Sequence, residues 1–287
     1  MAVVLEGGCR VSEMREGAPL ISGTLGVWPQ IGRAVGAQAI SLRIMEFASG
    51  LSPLLRNESC DEILYVVSRE PRRKVGSPID DKLVESRQPS ATIFIDGDPY
   101  EVGGDTGIYL RPGQTFAVGN PGPEALLFIS SQCPEPFDSS RQIEDLITHS
   151  ASSGGQASEL GAAADSTVYA TLPPLVRLGD RQAIPTADRW YRVLVDDEVG
   201  STQVTQFVGS IPPGRAPDHF HQYEEVLFIL RGEGRMWAGE TNTPIAPGSC
   251  VYLPKGQIHC VENTGNGDLQ LLGVFYPAGS PSVRYDA

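Results

Sequence analysis

The second half of the chain repeats the first half, and this repeat constrains the fold more than any other feature. PGSCVYLPKGQIHCVENTG aligns with GDTGIYLRPGQTFAVGNPG at a constant offset of 143 residues, the separation of Gly113 and Gly256. A second pair of matching stretches is DEILYVV, which contains Glu62, and EEVLFIL, which contains Glu225. Self-similarity of this kind predicts two domains of one fold that arose by duplication.

Both copies consist of short segments with the composition of β-strands. These segments are rich in Val, Ile, Phe and Tyr and are separated by Gly, Pro, Asn and Asp, which is typical of an antiparallel sandwich or barrel. The chain contains 32 glycines and 23 prolines, and this density of turn residues argues against a helical bundle. We therefore predict an all-β fold of two barrels, with one short helix, RQIEDLITH, between them.

The repeat and the local composition divide the chain into four parts. Small and polar residues in HSASSGGQASELGAAADST predict a linker between the copies. The first copy is the longer one, because its matched Glu and Gly are 51 positions apart against 31 in the second, and the surplus lies in a polar excursion at residues 68–90. The predicted parts are an N-terminal extension at 1–36, a first domain at 37–133, a linker with the short helix at 134–189 and a second domain at 190–287.

Charge and cysteine content exclude several classes of function. The chain has 22 Lys and Arg against 35 Asp and Glu, and its net charge of −13 disfavours nucleic acid and anionic membrane surfaces as partners. No apolar run approaches the ~18 residues of a membrane-spanning helix, and the first residues lack the pattern of a signal peptide. The five cysteines are odd in number and form no CxxC pair, which predicts a reduced, cytoplasmic protein.

Three of the four histidines, together with one glutamate, predict a metal site in the second copy. His219 and His221 are two residues apart, so on a strand they point to the same face. Glu225 follows at an even step, and His259 comes after a tight turn that can return its strand to the first pair. A lone histidine on a strand more often serves the core, but imidazoles and a carboxylate that converge suit Fe, Ni, Zn or Mn.

The histidines stand in two motifs that resemble those of the cupin superfamily. The first motif has one residue fewer than usual between its glycine and first histidine, in the series Gly214, His219, His221, Glu225 and Gly232. The second motif is matched at every position by the series Gly248, Pro254, Gly256, His259 and Asn263. The duplicated architecture resembles that of the bicupins, and the resemblance covers both β-domains.

The resemblance implies two jelly-roll barrels and one divalent metal per chain. Cupins of this pattern bind a metal through three His and one Glu, which implies His219, His221, Glu225 and His259 as ligands here. We expect Fe(II), with Mn, Ni and Zn as alternatives. We also expect that the only other participant is a small-molecule substrate, and that the protein is a monomer or a homodimer.

The first copy is predicted to lack a metal. When the copies are aligned on Glu62, Arg56 and Glu58 take the positions of the first two histidines, and Phe116 takes that of the third. Because an arginine repels a cation, we expect a salt-bridge cluster of these two residues with Glu62. The first domain would then orient the second or shape its mouth, and the basic residues 72–74 would form either a lid for an anionic substrate or a solvated loop.

The resemblance implies a metal-dependent enzyme that acts on a small organic substrate. Four protein ligands on a metal that prefers six positions leave sites for a substrate and for O₂ or water. Many cupins with this ligand set are dioxygenases of enols, diketones or phenols, so we favour a dioxygenase. The alternatives are a redox-neutral isomerase, decarboxylase, lyase or hydrolase, and a non-catalytic cupin that binds a small molecule.

Overall fold

The structure is a computed structural model that describes residues 1–68, 91–134 and 174–283, and the backbone of residues 285–286. Most of the polar excursion, with its basic residues 72–74, lies outside the described residues, as does the predicted linker helix at 141–149. Both features therefore stay predictions. No helix in the described ranges is long and apolar enough to cross a membrane.

Strands make up most of the described chain, as the Val- and Ile-rich segments predict. The strands of the first half are β1 (Val3–Val4), β2 (Arg10–Glu13), β3 (Leu20–Ser22), β4 (Leu25–Ile31), β5 (Leu42–Phe47), β6 (Gly50–Leu51), β7 (Leu55–Arg56), β8 (Asp61–Val66), β9 (Ala91–Ile95), β10 (Asp98–Val102), β11 (Thr106–Leu110), β12 (Thr115–Asn120) and β13 (Leu126–Cys133). The strands of the second half are β14 (Leu175–Arg177), β15 (Ile184–Thr186), β16 (Arg189–Val195), β17 (Thr205–Ile211), β18 (Gly214–Arg215), β19 (His219–Phe220), β20 (Glu224–Arg231), β21 (Gly234–Ala238), β22 (Thr241–Ile245), β23 (Ser249–Leu253), β24 (His259–Asn263), β25 (Leu269–Tyr276) and β26 (Tyr285–Asp286). The helical residues described are short 3-10 turns at Glu6–Gly8, Arg33–Val35, Leu178–Asp180 and Asp197–Val199.

Each copy of the repeat forms a jelly-roll barrel of two antiparallel sheets. In the first barrel one sheet has the order β14-β11-β8-β13-β5-β4-β3, and the other has the order β10-β9-β12-β6 with β7 also paired to β12. In the second barrel the larger sheet has the order β1-β2-β23-β20-β25-β17-β16-β15. Its smaller sheet has the order β22-β21-β24-β19-β26, with β18 also paired to β24. The predicted all-β fold of two barrels is confirmed.

Residues 1–36, which the sequence assigns to an extension, supply strands to both barrels. β1 and β2 join the large sheet of the second barrel, where Val11 pairs with Val251. β3 and β4 join the large sheet of the first barrel, where Val27 pairs with Met45. β14, from the predicted linker, also joins the first barrel, beside β11. Each barrel is therefore completed by a segment that lies outside its copy of the repeat.

The large sheets of the two barrels pack against each other through a shared apolar core. Ile44 and Ile129 of the first barrel belong to the same buried cluster as Val208 and Phe228 of the second barrel. These side chains are 0–2 % exposed. Removal of this apolar surface from water is the main force that holds the barrels together.

Two buried carboxylates add directional contacts across the same junction. Glu224 in the second barrel accepts hydrogen bonds from the backbone N–H groups of residues 38–39, at 3.0 and 2.7 Å. Asp61, its counterpart in the first barrel, accepts a hydrogen bond from the side-chain amide of Gln203 at 3.4 Å. These contacts are related by the duplication, and they fix the orientation of one barrel relative to the other.

We expect Glu224→Ala to lower the free energy of unfolding by about 2–3 kcal/mol, because it leaves partly buried donors without an acceptor. One of these donors is the hydroxyl of Tyr252, which lies 2.7 Å from the carboxylate. The measurement is chemical denaturation followed by far-UV circular dichroism. Glu233→Ala, which removes an exposed carboxylate, is the control. Equal stability of the two variants would contradict a role for Glu224 at the junction.

Candidate metal centre

Three histidines, two of them on neighbouring strands, come together inside the second barrel. His219 in β19 pairs directly with His259 in β24, and His221 follows two residues later. The ring centroids of His219 and His259 are 4.5 Å apart, and those of His219 and His221 are 4.9 Å apart. One nitrogen of each ring lies within 4.8 Å of the others. Within the described part of the chain, no other group of three or more His, Cys, Asp or Glu side chains is compact enough to hold a metal ion.

A tight turn places His259 beside the other two histidines. Gly256 in this turn has a φ of +78°, and its counterpart Gly113 has a φ of +85°. Glycine adopts such left-handed angles without the steric cost that a Cβ would bring. The backbone N–H of Gly256 donates to the carbonyl oxygen of His221 at 2.8 Å, which ties the turn to the histidine strand. The glycine of the second motif therefore has the turn role that the sequence predicts.

Backbone carbonyl groups orient all three imidazole rings. The Nδ1 atoms lie at hydrogen-bond distance from carbonyl oxygens in three pairs, His219 with Pro217 at 3.0 Å, His221 with Val283 at 3.1 Å and His259 with Gln257 at 2.8 Å. Because a carbonyl oxygen only accepts hydrogen bonds, each Nδ1 carries a proton, and in a neutral ring the Nε2 atom then keeps its lone pair. This arrangement is typical of histidines that bind a metal through Nε2. The donor set therefore fits a divalent first-row metal.

Glu225 lies next to the histidines, with its Oε2 atom 3.6 Å from Nε2 of His221. Burial raises the pKa of Glu225 to about 8. Burial, together with the neighbouring imidazole of His219, lowers the pKa of His221 to about 4 and that of His259 to about 3. At pH 7 these two buried imidazoles are neutral donors, whereas the glutamate still holds a proton that a metal ion would displace.

This difference in pKa predicts how metal binding depends on pH. Since Glu225 is protonated below about pH 8, each bound ion displaces one proton, and we expect affinity to rise about tenfold per pH unit from about pH 6 to pH 8. Mn(II) affinity at several pH values, measured by competition with a chelator, tests this. In Glu225→Gln the affinity should be lower and the slope should be absent. Constant affinity of the unmodified protein over this range would contradict the role of Glu225.

In the first barrel other residues stand in place of the histidines. They lie one residue before the positions that the alignment on Glu62 predicts. In the sheet register Leu55 pairs with Phe116, as His219 pairs with His259. The carbonyl oxygen of Asn57 accepts the turn hydrogen bond, at 2.7 Å, that the second histidine accepts in the other barrel. Leu55 and Asn57 therefore take the histidine positions. The first barrel has one more residue between this strand and its glutamate, and the alignment did not account for it.

The salt-bridge cluster predicted for the first barrel is present only in part. Arg56 and Glu58 form an ion pair at 2.9 Å, with side chains that are 51 % and 66 % exposed. Glu62 does not belong to this pair, and the prediction was wrong on that point. Its Oε1 atom instead accepts a hydrogen bond from Nη2 of Arg43 at 2.7 Å, and both of these side chains are 4 % exposed.

The surroundings of the two corresponding glutamates explain why only one of them faces a candidate metal site. The side chains that hydrogen bond to Glu62 are those of Arg43, Ser130 and Gln132. Their counterparts by sheet register around Glu225 are Phe207, Gly273 and Phe275. In the first barrel an internal guanidinium neutralises the carboxylate, whereas none of the three counterparts around Glu225 carries a positive charge. Arg43 could not be recognised from the sequence, because its strand lies outside the matched stretches.

The histidines line a chamber of about 130 Å³ inside the second barrel. We call five of the apolar side chains that line this chamber the chamber walls, and they are Phe207, Ile211, Leu227, Val261 and Leu271. Arg189 also lines the chamber, and its Nε atom lies 3.0 Å from a carboxylate oxygen of Asp188. The geometry therefore combines one polar end, formed by the imidazoles and Glu225, with a largely apolar interior.

Residues 207–275, which include all four candidate ligands, match the family model described as a cupin domain. The second barrel is a cupin domain. A stretch of 66 residues is 39 % identical to the oxalate-binding protein of Thermotoga maritima, and covers 22 % of this chain and 54 % of that one. A stretch of 83 residues is 34 % identical to auxin-binding protein 1 of Arabidopsis thaliana, and covers 25 % of this chain and 42 % of that one. The matched stretches therefore span about half the length of these relatives.

The first barrel and the cupin domain together have the fold of a bicupin. A solved structure of a mutant of the oxalate decarboxylase OxdC of Bacillus subtilis superimposes with a TM-score of 0.68. The superposition covers 94 % of this chain and 78 % of that one, at 16 % sequence identity. At this identity the likeness shows the fold, including the arrangement of the two barrels. The resemblance inferred from the two histidine motifs is confirmed.

Proposed function

We propose that the cupin domain binds one divalent metal through His219, His221, His259 and Glu225, and that it acts there on a small carboxylic acid. The observation that carries this proposal is the orientation of the three imidazoles by backbone carbonyl groups, with the lone pairs of Nε2 gathered beside a buried carboxylate. When bound, the metal would supply Lewis-acid chemistry by polarising a coordinated oxygen atom of the substrate.

Among the reactions that the ligand set allows, we propose decarboxylation without net oxidation. The oxalate-binding relative and the fold shared with an oxalate decarboxylase support a carboxylate as the group at the metal. In this reaction the bond to the carboxylate carbon breaks, CO₂ leaves, and a proton takes its place. The dioxygenase that the sequence favoured has no support from these comparisons. The Bacillus subtilis enzyme contains Mn(II) centres, so we propose Mn(II) ahead of the Fe(II) expected from the sequence.

The protein's own residues would contribute in two ways. The neutral imidazoles of His221 and His259 and the carboxylate of Glu225 would hold the cation. They would also set the net charge of the cation together with its ligands. The apolar chamber walls would reduce the contact between water and a carboxylate that approaches the histidines. A carboxylate that is poorly hydrated loses CO₂ more readily, because the charge that water stabilised in the substrate is spread in the transition state.

The test is to load the protein with Mn(II) and to measure CO₂ release and O₂ consumption for a panel of small mono- and dicarboxylic acids. We expect at least one acid to release CO₂ without an equivalent loss of O₂, and His259→Ala to abolish this release. Phe116→Leu, which alters the counterpart of His259 in the first barrel, is the matched control and should leave the rate unchanged. Consumption of one O₂ per substrate would overturn the proposal in favour of a dioxygenase.

A further inference from the structure

The two barrels enclose very different volumes at corresponding places. The chamber of the cupin domain has about 130 Å³, whereas the cavity beside Arg43 and Glu62 in the first barrel has about 20 Å³. A single water needs about 10–15 Å³, so the small cavity holds about one water and the chamber holds a ligand of roughly six to ten non-hydrogen atoms. The cupin domain therefore has room for a ligand larger than a metal-bound water.

One glycine accounts for much of this difference. Gly209 in β17 pairs with Leu271, and its counterpart Met45 in β5 pairs with Phe128. Met45 and Phe128 fill the interior of the first barrel, and the smaller pair leaves the chamber open. A Cβ atom at Gly209 would meet the side chains of Leu271 and Phe207 at 3.5 Å, which is ordinary contact. A side chain at this position would therefore occupy the chamber without displacing the backbone.

The chamber offers a ligand few charged groups. Apart from the imidazoles and Glu225, Arg189 is the charged side chain in its lining, and the other polar groups there, among them the hydroxyls of Thr186 and Ser210, carry no charge. The guanidinium of Arg189 already has a carboxylate partner in Asp188. A second carboxylate on the ligand would therefore meet either a guanidinium that is already in an ion pair or the apolar chamber walls, and burial of an unpaired charge is strongly unfavourable.

We infer that the chamber binds small monocarboxylates with an apolar carbon body, with the carboxylate toward the histidines and the body against the chamber walls. This inference rests on the proposed function, because a metal ion at the histidines supplies the positive charge that the carboxylate needs. The inferred ligand therefore differs from oxalate, which has two carboxylates and no apolar body.

Calorimetric titration of the Mn(II)-loaded protein with acetate, butyrate and succinate tests the inference. We expect butyrate to bind at least tenfold more tightly than acetate, since each buried methylene is worth about fourfold. Succinate has the same number of carbons as butyrate and a second carboxylate, and it should bind at least about tenfold more weakly than butyrate. Succinate binding as tightly as butyrate would overturn the inference and leave the proposed function standing. Failure of all three acids to bind would overturn the proposed function.

Variants at Gly209 show whether the ligand occupies the chamber. Gly209→Met introduces the residue that fills the first barrel, and it should abolish the advantage of butyrate over acetate while Mn(II) content stays near one per chain. Gly209→Ala is the milder variant, and it should weaken butyrate binding at least about threefold. Gly119→Ala in the first barrel, where a Cβ also meets its neighbours at 3.5 Å or more, is the matched control. Unchanged butyrate binding in folded Gly209→Ala would overturn the inference.

Discussion

His221→Ala is expected to lose the metal. The substitution removes one of three nitrogen donors, and the remaining pair and Glu225 cannot enclose a cation as tightly. Loss of a partner that only orients a ligand costs about 10–100-fold in metal affinity, so loss of the ligand itself should cost at least 100-fold. Elemental analysis after dialysis should give close to one ion per chain for the unmodified protein and less than about a tenth of that for the variant.

Two further measurements make this prediction specific to the cupin domain. Phe116→Leu should keep full metal content, because the described residues of the first barrel bring no three ligand side chains together. Circular dichroism should show that His221→Ala is folded, so that loss of metal is not loss of structure. Full metal content in the double variant His219→Ala/His221→Ala would show that the ion binds elsewhere. Two ions per chain in the unmodified protein would contradict the absence of a site in the first barrel.

The parts of the site that the sequence predicted depend on short motifs with fixed spacings. The even spacing of His219 and His221 places both on one face of the chain, which is a short-range relation. His259 lies on a strand that pairs with that of His219 although four other strands separate the two along the chain. Local spacing does not establish this pairing, and the three histidines could be placed together because both motifs resemble those of the cupins.

The parts that the sequence did not predict depend on pairing between distant strands. β2 joins the second barrel through hydrogen bonds to β23, more than two hundred residues away, and no periodicity in either segment indicates the other. The alignment on Glu62 assumed equal spacing in both copies, and one additional residue in the first barrel moved Leu55 and Asn57 into the histidine positions. Arg43 is a third example, because its structural role is to pair with Glu62, which lies on a separate strand.

The choice between reactions was beyond the sequence for a different reason. Three histidines and a glutamate serve both oxidative and redox-neutral chemistry, and the metal that occupies such a set depends on supply as well as on ligands. What separates substrates is the shape and polarity of the space next to the ligands. That space depends on side chains such as Gly209 and Leu271 from two strands, whose inward direction only the sheet register establishes.

Arg43→Met is expected to be the most destabilising substitution considered for the first barrel. Arg43 and Glu62 form an ion pair at 2.7 Å with both side chains 4 % exposed, so the substitution leaves a buried carboxylate without its positive partner. Ser130 and Gln132 still donate hydrogen bonds to that carboxylate, but neither carries a charge. Removal of one member of a buried pair costs about 3–5 kcal/mol, and chemical denaturation should show a loss of this size.

Two more variants distinguish the loss of the buried ion pair from the loss of packing by the arginine side chain. Arg56→Met removes an arginine from the exposed pair with Glu58, and it should change the free energy of unfolding by no more than about 0.5 kcal/mol. The double variant Arg43→Met/Glu62→Leu removes both buried charges, and it should be more stable than Arg43→Met by at least about 2 kcal/mol, because a buried pair can be replaced by apolar side chains at little cost. If the double variant is as unstable as Arg43→Met, the loss comes from the packing of the arginine stem, and the guanidinium does not act as the internal substitute for a metal ion.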